Sequence, residues 1–286
     1  MKILIIQENG HHDANRHMRE CFSLQHNLAK YGVDSTVWGN LHDNFAIPFD
    51  DIVEDHDVIL SIENYDTGWM PNLSHIKKTK VFWSIDSHCA LNQHQHFCHQ
   101  AGIDILLNST SDFNRYYSGL VRKAVWFPNA VDVRWFKPLN CEKKYDVGFC
   151  GSLIHDRRQW LQGLSQHLPI RVATRILGKA MVEEVNSYNI ALNKSISIDI
   201  PYRVFEMTAC RLPLITNYVP NLESLYEIGK EIEVYNTADE LLTIARKLIE
   251  CPETRYSLAK AGYDRTLRDH TYEIRTKQLI DIIGGG

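Results

Sequence analysis

Residues 145–152 read Tyr-Asp-Val-Gly-Phe-Cys-Gly-Ser, an apolar run that ends in two small residues. Such a run predicts a buried strand, and the final Gly-Ser pair predicts a tight turn after it. Apolar residues then recur at helical spacing from 154 to 168, so the stretch predicts a strand followed by a helix. Similar short apolar runs predict further strands at 170–173, 190–192, 214–216 and 232–235.

The first half of the chain carries the same alternation of strands and helices. Its apolar runs predict strands at 2–8, 33–38, 58–62, 80–85, 103–107 and 125–127. Helices are predicted at 15–31, at 237–249 and from Pro252 onward, with a break near His270. Since buried strands that alternate with helices form parallel sheets, each half predicts a doubly wound α/β domain. Proline and charged residues cluster at 138–144, which gives predicted domains of 1–140 and 141–283.

The composition is that of an ordinary globular protein. Its 286 residues suffice for two domains, and 44% apolar with 23% charged residues argues against intrinsic disorder. The apolar runs are far shorter than the ~20 residues that span a bilayer, and the N-terminal run is too short for a signal peptide. The seven cysteines are scattered without a CxxC pair, so we expect reduced thiols in a cytoplasmic protein.

The charge of the chain gives no overall nucleic-acid footprint. The formal net charge is -4, and residues 1–140 hold 12 Lys and Arg against 16 Asp and Glu. Because a DNA cleft needs a basic lining, the acidic first half argues against DNA. Short basic clusters at 77–80 and 122–123 leave DNA open as a partner.

Several nucleotide and metal motifs are absent from the sequence. No GxGxxG follows the first strand, and no P-loop, HExxH or GxSxG motif occurs. These absences disfavour a dinucleotide enzyme, a P-loop enzyme, a zinc protease and an α/β-hydrolase. Histidines and cysteines cluster at 88–99, but their spacing fits no standard zinc finger, so we predict no metal site.

The loop after residue 150 has the chemistry of a phosphate site. Gly151 and Ser152 let backbone N–H groups approach an anion, and Arg157 and Arg158 follow near the start of the next helix. A guanidinium binds phosphate oxygens through two parallel hydrogen bonds. An ordinary turn followed by solvated arginines is the alternative interpretation.

The second half carries a series of short motifs in a fixed order. They are Gly151-Ser152, Arg157-Arg158, Leu192-Asn193, Arg203-Val-Phe-Glu206, Ala209-Cys210, Leu212-Pro-Leu-Ile-Thr216, Gly229 to Tyr235, Glu240-Leu241 and His270-Thr-Tyr-Glu-Ile-Arg275. This order resembles the C-terminal domain of retaining GT-B glycosyltransferases, and is closest to their CgeB-like, spore-maturation branch. In the first half, residues 83–88 and 126–132 resemble a strand-end Asp motif and an "LPNAVD" segment of the same branch.

The resemblance covers about residues 80–280 and departs from the family pattern at two positions. Arg211 stands where the branch has a glycine, and Ile198 stands where the retaining group often has a glutamate. The implied fold is GT-B, in which two Rossmann-like doubly wound domains face a cleft. Its last helix, at 271–283, crosses back to the first domain. Residues 1–140 would hold the acceptor, and residues 141–283 would hold a nucleoside-diphosphate sugar, with a UDP-sugar favoured.

The resemblance also implies which residues contact the donor. Glu206 would bind the ribose hydroxyls, because a carboxylate accepts hydrogen bonds from both hydroxyls of a diol. Arg157, Arg158 and Lys194 would balance the diphosphate charge, and Arg158 would stabilise the leaving group during the reaction. The other implied donor contacts are Gly151, Ser152, Ile176, Gly178, Tyr202 and Arg203.

The acceptor would meet the ends of the first-half strands. The loop at 10–13 follows the first strand and residues 86–88 follow the fourth, so both should lie at the carboxyl edge of the sheet. The implied acceptor-binding residues are Gly10, His11 and His12, and the candidates that orient the acceptor hydroxyl are Asp86, His88, His12 and Asp13. In retaining enzymes of this fold the leaving phosphate can itself take the proton, so no strong base is required.

The expected activity is metal-independent sugar transfer with retention, without a cofactor. The acceptor hydroxyl is open: it belongs to a glycan, a metabolite, a protein or a hydroxymethylated DNA base. The alternative is a catalytically inactive GT-B-like nucleotide-binding or scaffold protein, which Ile198 and Arg211 motivate. A periplasmic-type sensor also has two α/β domains, but Glu206 and its cationic neighbours argue against it. The sequence gives no indication of the oligomeric state.

Overall fold

The computed structural model describes residues 1–285 and contains two parallel β-sheets. The chain divides into two compact units: Met1–Asn129 with the C-terminal residues from Arg275 onward, and Ala130–Ile274. The predicted fold class of two Rossmann-like α/β halves is confirmed. The units divide before the predicted boundary at residue 140, since Val131 pairs with Thr271 inside the second unit.

The first unit is built on six parallel strands in the order β2-β1-β3-β4-β5-β6. Its strands are β1 (Lys2–Ile6), β2 (Asp34–Trp38), β3 (Val58–Ile62), β4 (Thr79–Ser84), β5 (Ile105–Asn108) and β6 (Lys123–Trp126). Its helices are α1 (Glu20–Lys30), α2 (Phe49–Val53) and α3 (Ser87–Ala101). The strand order reverses between β1 and β3, and ligands of such sheets bind at the carboxyl ends beside this reversal.

The apolar strands form the core of the first unit, because β1 and β3 are buried on both faces. Helix α1 begins at Glu20 rather than at the predicted residue 15. Residues Asp13–Asn15 form a separate 3-10 turn, and Arg19 has an extended backbone just before the helix. Helix α3 ends at Gly102, whose left-handed φ of 63° is the conformation that glycine adopts most easily.

The second unit is built on five parallel strands in the order β11-β10-β9-β7-β8. Its strands are β7 (Tyr145–Cys150), β8 (Arg171–Ala173), β9 (Tyr188–Asn193), β10 (Leu214–Asn217) and β11 (Glu233–Tyr235). Its helices are α4 (Arg157–Leu164), α5 (Gly178–Asn186), α6 (Tyr202–Ala209), α7 (Leu222–Leu225), α8 (Ala238–Glu250) and α9 (Pro252–Asp269). The last helix, α10 (Tyr272–Gly284), begins in the second unit, and its residues from Arg275 onward belong to the first. The strand order reverses between β7 and β9, so the carboxyl ends of these two strands mark the expected ligand edge.

Two local features explain why the second-unit sequence folds in this way. The Tyr188 ring lies against Gly148, where an added Cβ would be 2.3 Å from ring atom Cδ2, so only glycine fits there. At the start of α8, Thr237 and Glu240 form a capping box, in which each side chain accepts from the other residue's backbone N–H.

The predicted helix break at His270 separates α9 from α10. The His270 ring hydrogen-bonds the Leu225 carbonyl oxygen at 2.8 Å, and the backbone N–H of Val131 donates to the His270 carbonyl at 3.0 Å. From Arg275 onward, the chain packs with the first unit. Among residues 1–285, no helix has the length and apolar character needed to cross a membrane.

Candidate functional site

A cationic centre lies at the carboxyl ends of β7 and β9 in the second unit. Gly151 follows β7, and Arg203 extends from the first turn of α6 across it. An added Cβ at Gly151 would be only 2.0 Å from Nη1 of Arg203, so the absence of a side chain makes room for this guanidinium. The Nε of Arg203 is buried and has no hydrogen-bond partner among residues 1–285.

Arg157 is the second guanidinium of this centre, and it is buried. Its Nε and Nη2 donate to the Lys194 carbonyl oxygen at 2.9 and 2.5 Å, and its Nη1 donates to the Ser152 carbonyl at 3.3 Å. Burial and the positive charge of Arg203 lower the pKa of Arg157, although the nearby carboxylates work against this. Two positive groups are thus held together in a half-buried place, which is an arrangement that favours binding of an anion.

Lys194 and Arg158 lie at the margin of the centre. The Lys194 ammonium pairs with the Asp156 carboxylate and lies 5.4 Å from the centre of the Trp160 ring. This hydrogen bond lowers the pKa of Asp156. Arg158 is exposed in the first turn of α4. Both residues stay predicted donor contacts, with Lys194 already held by a carboxylate.

Helix α6 brings three predicted donor residues to one side. Glu206 follows Tyr202 by four residues and Arg203 by three, and all three are half-buried, so they lie on one side of the helix. Burial raises the pKa of Cys150 to about 11, and the charges of Arg203 and Glu206 also influence this pKa. Glu206 therefore lies near the carboxyl end of β7, where the cationic centre is.

Ile176 and Gly178 lie where α5 begins after β8. Gly178 is buried and has a left-handed φ of 63°, and Ile176 is half-buried in the loop before it. The sequence analysis did not predict α5, although Val182 and Val185 bury one face of this helix at helical spacing. The predicted roles of Ile176 and Gly178 at the nucleotide base stay predictions.

A hydrogen-bonded layer that the sequence analysis missed fixes the loop after β9. The Asn193 amide donates to the Thr216 hydroxyl at 2.9 Å and to the Ser195 hydroxyl at 3.2 Å. The backbone N–H of Ser195 donates to the Asn217 side chain at 2.6 Å. This layer holds the Lys194 carbonyl in the position that Arg157 contacts.

Arg211, which departs from the predicted motif, directs its side chain toward α9 rather than toward the cationic centre. Arg211 follows α6 with a left-handed φ of 57°, a conformation that glycine adopts most easily. Its Nη2 donates to the Tyr256 hydroxyl at 2.7 Å, and its guanidinium lies 5.0 Å from the centre of that ring. The arginine is therefore accommodated by α9, and it gives no support to the inactive-scaffold alternative.

The first unit has its own polar cluster at the carboxyl ends of β1, β3 and β4. Glu63 directly follows β3, and its Oε2 accepts from the backbone N–H groups of Ile85 and Asp86, each at 2.7 Å. The His94 ring lies 3.5 Å from the same oxygen. Burial alone would raise the pKa of Glu63, but His94 and the two amides outweigh it and lower that pKa. Glu63 is thus an ionised carboxylate near neutral pH.

Glu8 is the second carboxylate of this cluster, and it is fully buried. Its Oε1 accepts from the Tyr65 backbone N–H at 2.5 Å and lies 3.6 Å from the Arg19 guanidinium, and its Oε2 lies 3.1 Å from the His11 ring. The exposed Tyr65 ring lies under Arg19, with 4.6 Å between the guanidinium carbon and the ring centre. The strand reversal at β1 and β3 therefore holds two carboxylates, a guanidinium and an aromatic ring.

The predicted acceptor-side residues are only partly brought together. His11 joins the cluster through Glu8, and Gly10 is buried where an added Cβ would lie 2.7 Å from the Asn15 carbonyl oxygen. His12 and Asp13 are exposed, and Asp13 pairs with Arg16 at 2.7 Å.

Asp86 and His88 lie at the start of α3, beside Glu63. The pKa of Asp86 is raised to about 6, first by desolvation and then by the charge of Glu63. Sequence analysis missed Glu8, Arg19, Glu63 and His94 as cluster members. A signal was present, because Glu8 is the last residue of one predicted strand and Glu63 directly follows another.

A family model of glycosyl transferase-like proteins matches residues 122–281, which is more than half of the chain. The chain belongs to this family. The matched region contains the entire cationic centre and α6, so the family assignment covers the predicted donor residues. Membership in the CgeB-like branch stays a prediction. A search of curated proteins found no match to the chain.

Solved structures of low sequence identity share the fold. An alpha-glucosyltransferase in complex with UDP is 12% identical over 99% of this chain and 100% of its own, with a TM-score of 0.70. Anabaena HepE in complex with UDP is 12% identical over 100% of both chains, with a TM-score of 0.64. Sucrose-phosphate synthase from Thermosynechococcus elongatus is 11% identical over 99% of this chain and 98% of its own, with a TM-score of 0.67. The predicted GT-B fold is confirmed.

Proposed function

We propose that this protein transfers a sugar from a UDP-sugar to an acceptor hydroxyl, with retention and without a metal ion. The observation that carries the proposal is the pair of guanidinium groups, Arg157 and Arg203, beside Gly151. A nucleoside diphosphate is the ligand class that meets this centre best, because its two phosphates supply the missing negative charge. The structural neighbours that contain UDP support uracil as the base.

The same centre has a catalytic consequence. Negative charge grows on the departing diphosphate as the glycosidic bond breaks, and a fixed guanidinium stabilises that charge more than it stabilises the intact donor. Arg203 is aimed by packing over Gly151 and retains unused hydrogen-bonding capacity at Nε. Glu206, on the same helix face, would accept hydrogen bonds from the ribose hydroxyls.

Metal independence follows from the same chemistry. Cationic side chains perform the charge neutralisation for which other transferases use Mg²⁺. On the acceptor side, Asp86 would accept a hydrogen bond from the acceptor hydroxyl, since a carboxyl with a pKa of about 6 is mostly ionised at pH 7.

Donor binding is tested by thermal shift with UDP, GDP, ADP, dTDP and CMP on the wild type and on Glu206→Ala. A ligand at 100 times its Kd adds ~2.7 kcal/mol to the free energy of unfolding. We expect UDP to stabilise the wild type and to lose most of this effect in Glu206→Ala. Glu183→Ala, which removes an exposed carboxylate on α5, is the matched control and should respond as the wild type does. No stabilisation by any nucleotide would overturn the donor assignment.

Turnover separates an enzyme from an inactive scaffold. UDP-glucose incubated with the protein and a panel of glycan, peptide and hydroxymethylated DNA acceptors should release UDP, and excess EDTA should leave the rate unchanged. Proton NMR of the new glycosidic linkage should show the same anomeric configuration as the donor. Nucleotide binding without UDP release on any acceptor would favour the scaffold, and inversion would contradict retention.

A further inference from the structure

The connection between β3 and β4 is unusual for a doubly wound sheet. Residues 63–78 contain no helix or strand, although a helix normally covers a parallel crossover. These 16 residues exceed the ~12–15 beyond which structureless loops in compact domains are uncommon and are usually functional. A cavity of about 880 Å³ lies between this segment and α3, and we call it the crossover cavity. Its volume falls in the range of roughly 300–1,000 Å³ that small-molecule sites occupy.

The floor of the crossover cavity is the sheet itself. Ser61 and Phe82 are paired neighbours on β3 and β4, and both are buried. Leu73 and Phe97 extend this surface from the crossover and from α3. The Ser61 hydroxyl is buried and has no hydrogen-bond partner among residues 1–285. Since Ser61, Leu73 and Phe82 are almost fully covered, a ligand in the cavity would meet the half-buried Phe97 ring and the polar rim.

The rim of the crossover cavity is polar and uncharged. Gln93, His96 and Gln100 project from α3, and Thr67 and Asn72 line the opposite wall; all five are exposed. The only ionic pair in the lining is Glu63 with His94, at one end. None of the lining residues, all within the described chain, is lysine or arginine. This composition disfavours phosphate groups and the backbone of nucleic acids.

We propose that the crossover cavity binds an uncharged saccharide unit of the acceptor. Side-chain amides, hydroxyls and imidazoles exchange hydrogen bonds with sugar hydroxyls, and the half-buried Phe97 ring offers an apolar surface to the C–H face of a sugar. The proposal rests on the transferase function proposed above, and narrows the acceptor from several classes to a glycan.

The crossover cavity connects to the strand-end cluster through Glu63. One carboxylate oxygen of Glu63 contacts both the Asp86 backbone N–H and the His94 ring, and Glu63, Tyr65 and His94 all line the cavity. A glycan seated over the sheet face would therefore reach the carboxyl end of β4, where Asp86 lies. The cavity holds a sugar residue remote from the reacting hydroxyl, which is a means of choosing among acceptors.

The test is saccharide binding by saturation-transfer NMR with the intact protein. The probes are maltose and N,N′-diacetylchitobiose, with glucose 6-phosphate and a DNA 12-mer as charged counterparts. Gln93→Trp and Thr67→Trp place an indole in the crossover cavity from opposite walls. Asn92→Trp, at an exposed position next to Gln93 on α3 but outside the lining, is the matched control. Each variant is also tested for stabilisation by UDP, which reports folding and the donor site separately.

We expect at least one neutral disaccharide to bind, with an affinity that falls at least ~10-fold in Gln93→Trp and in Thr67→Trp and is unchanged in Asn92→Trp. UDP should stabilise all of these variants equally. The inference is overturned if no neutral saccharide binds to protein that responds to UDP. It is also overturned if Asn92→Trp is impaired as much as Gln93→Trp, or if only the DNA probe binds. Saccharide binding without any UDP response would instead refute the donor proposal and leave the cavity assignment standing.

Discussion

At the scale of single residues, Arg157 and Arg203 bring two positive charges together in a half-buried position, an arrangement that favours binding of an anion. Arg157 donates hydrogen bonds to two carbonyl oxygens, so it supports the local backbone as well as contributing a positive charge. Arg203 is fixed by packing against Gly151 and keeps a buried nitrogen without a partner among residues 1–285. Both arginines were predicted donor contacts, and they differ in the structure: Arg157 holds the loop through carbonyl oxygens, whereas Arg203 keeps a nitrogen without a partner among residues 1–285.

The raised pKa of Asp86 has a consequence for stability. A carboxyl whose folded pKa is about 6 binds its proton more tightly in the folded state than in the unfolded state, where the pKa is ~3.9. Its contribution to the free energy of unfolding is therefore present below about pH 4 and is lost as the pH rises through 6. We expect Asp86→Asn to abolish this pH-dependent loss of unfolding free energy.

Urea unfolding of the wild type and Asp86→Asn between pH 4 and 8 checks this prediction. The difference in unfolding free energy should shift in favour of the variant between about pH 4 and 6, and should be constant above pH 7, where the protonation of Asp86 no longer changes. Parallel curves over the entire range would contradict it.

At the scale of elements, α6 owes its position to α9. Three buried hydroxyls form a triangle with sides of 2.7–3.2 Å. They belong to Thr208 on α6, to Thr266 on α9 and to Tyr226, which directly follows α7. Gly262 on α9 lies against the segment before β11 and against α6, because an added Cβ would be 2.4 Å from the Glu231 carbonyl oxygen and 3.4 Å from the Thr208 methyl carbon. These contacts hold the helix that carries three of the predicted donor residues.

Thr266→Val tests the hydroxyl triangle. The substitution keeps the side-chain shape but removes one buried hydroxyl, so its two partners lose a hydrogen bond at a cost of about 1–3 kcal/mol in unfolding free energy. Thr243→Val, at an exposed threonine on α8, is the control and should change stability by no more than ~0.5 kcal/mol. Urea denaturation of both variants gives the comparison, and equal effects would show that the triangle contributes nothing.

The elements also show how far sequence reasoning reaches. Apolar runs predicted each of the eleven strands that residues 1–285 contain, because a buried strand must be apolar whatever its neighbours are. The helix-free crossover at 63–78 was not anticipated, since its conformation depends on packing against α3 and leaves no periodic signal. For the same reason Glu63 escaped prediction: its role arises from the Ile85 and Asp86 amides, which meet it only in the folded sheet.

At the scale of the whole molecule, the first unit is assembled from both ends of the chain. Arg275 is buried, and its Nε donates to the Pro128 carbonyl oxygen at 2.8 Å across 147 positions of sequence. Thr276 and Leu279 on the same helix are also buried. Folding of the first unit therefore depends on the last helix, which follows the entire second unit in sequence.

Arg275→Ala tests this dependence. Loss of a buried hydrogen bond from a charged group should lower the unfolding free energy by about 1.5–3 kcal/mol. The Kd for UDP should be unchanged, because every predicted donor residue belongs to the second unit. Calorimetry with and without UDP measures both quantities, and Lys277→Ala, at an exposed position of the same helix, is the control. A weaker Kd for UDP in Arg275→Ala alone would contradict the independence of the donor site.

The helix-free crossover has a consequence for the history of this protein. Residues 66–72 form no part of the hydrogen-bonded ladder of the sheet, and loops of this kind accept substitution and insertion more readily than the elements they join. Mutation can therefore remodel this segment while the strands and the second unit stay as they are. Descendants of one ancestral member of the family could in this way diverge at this loop while inheriting the same second unit.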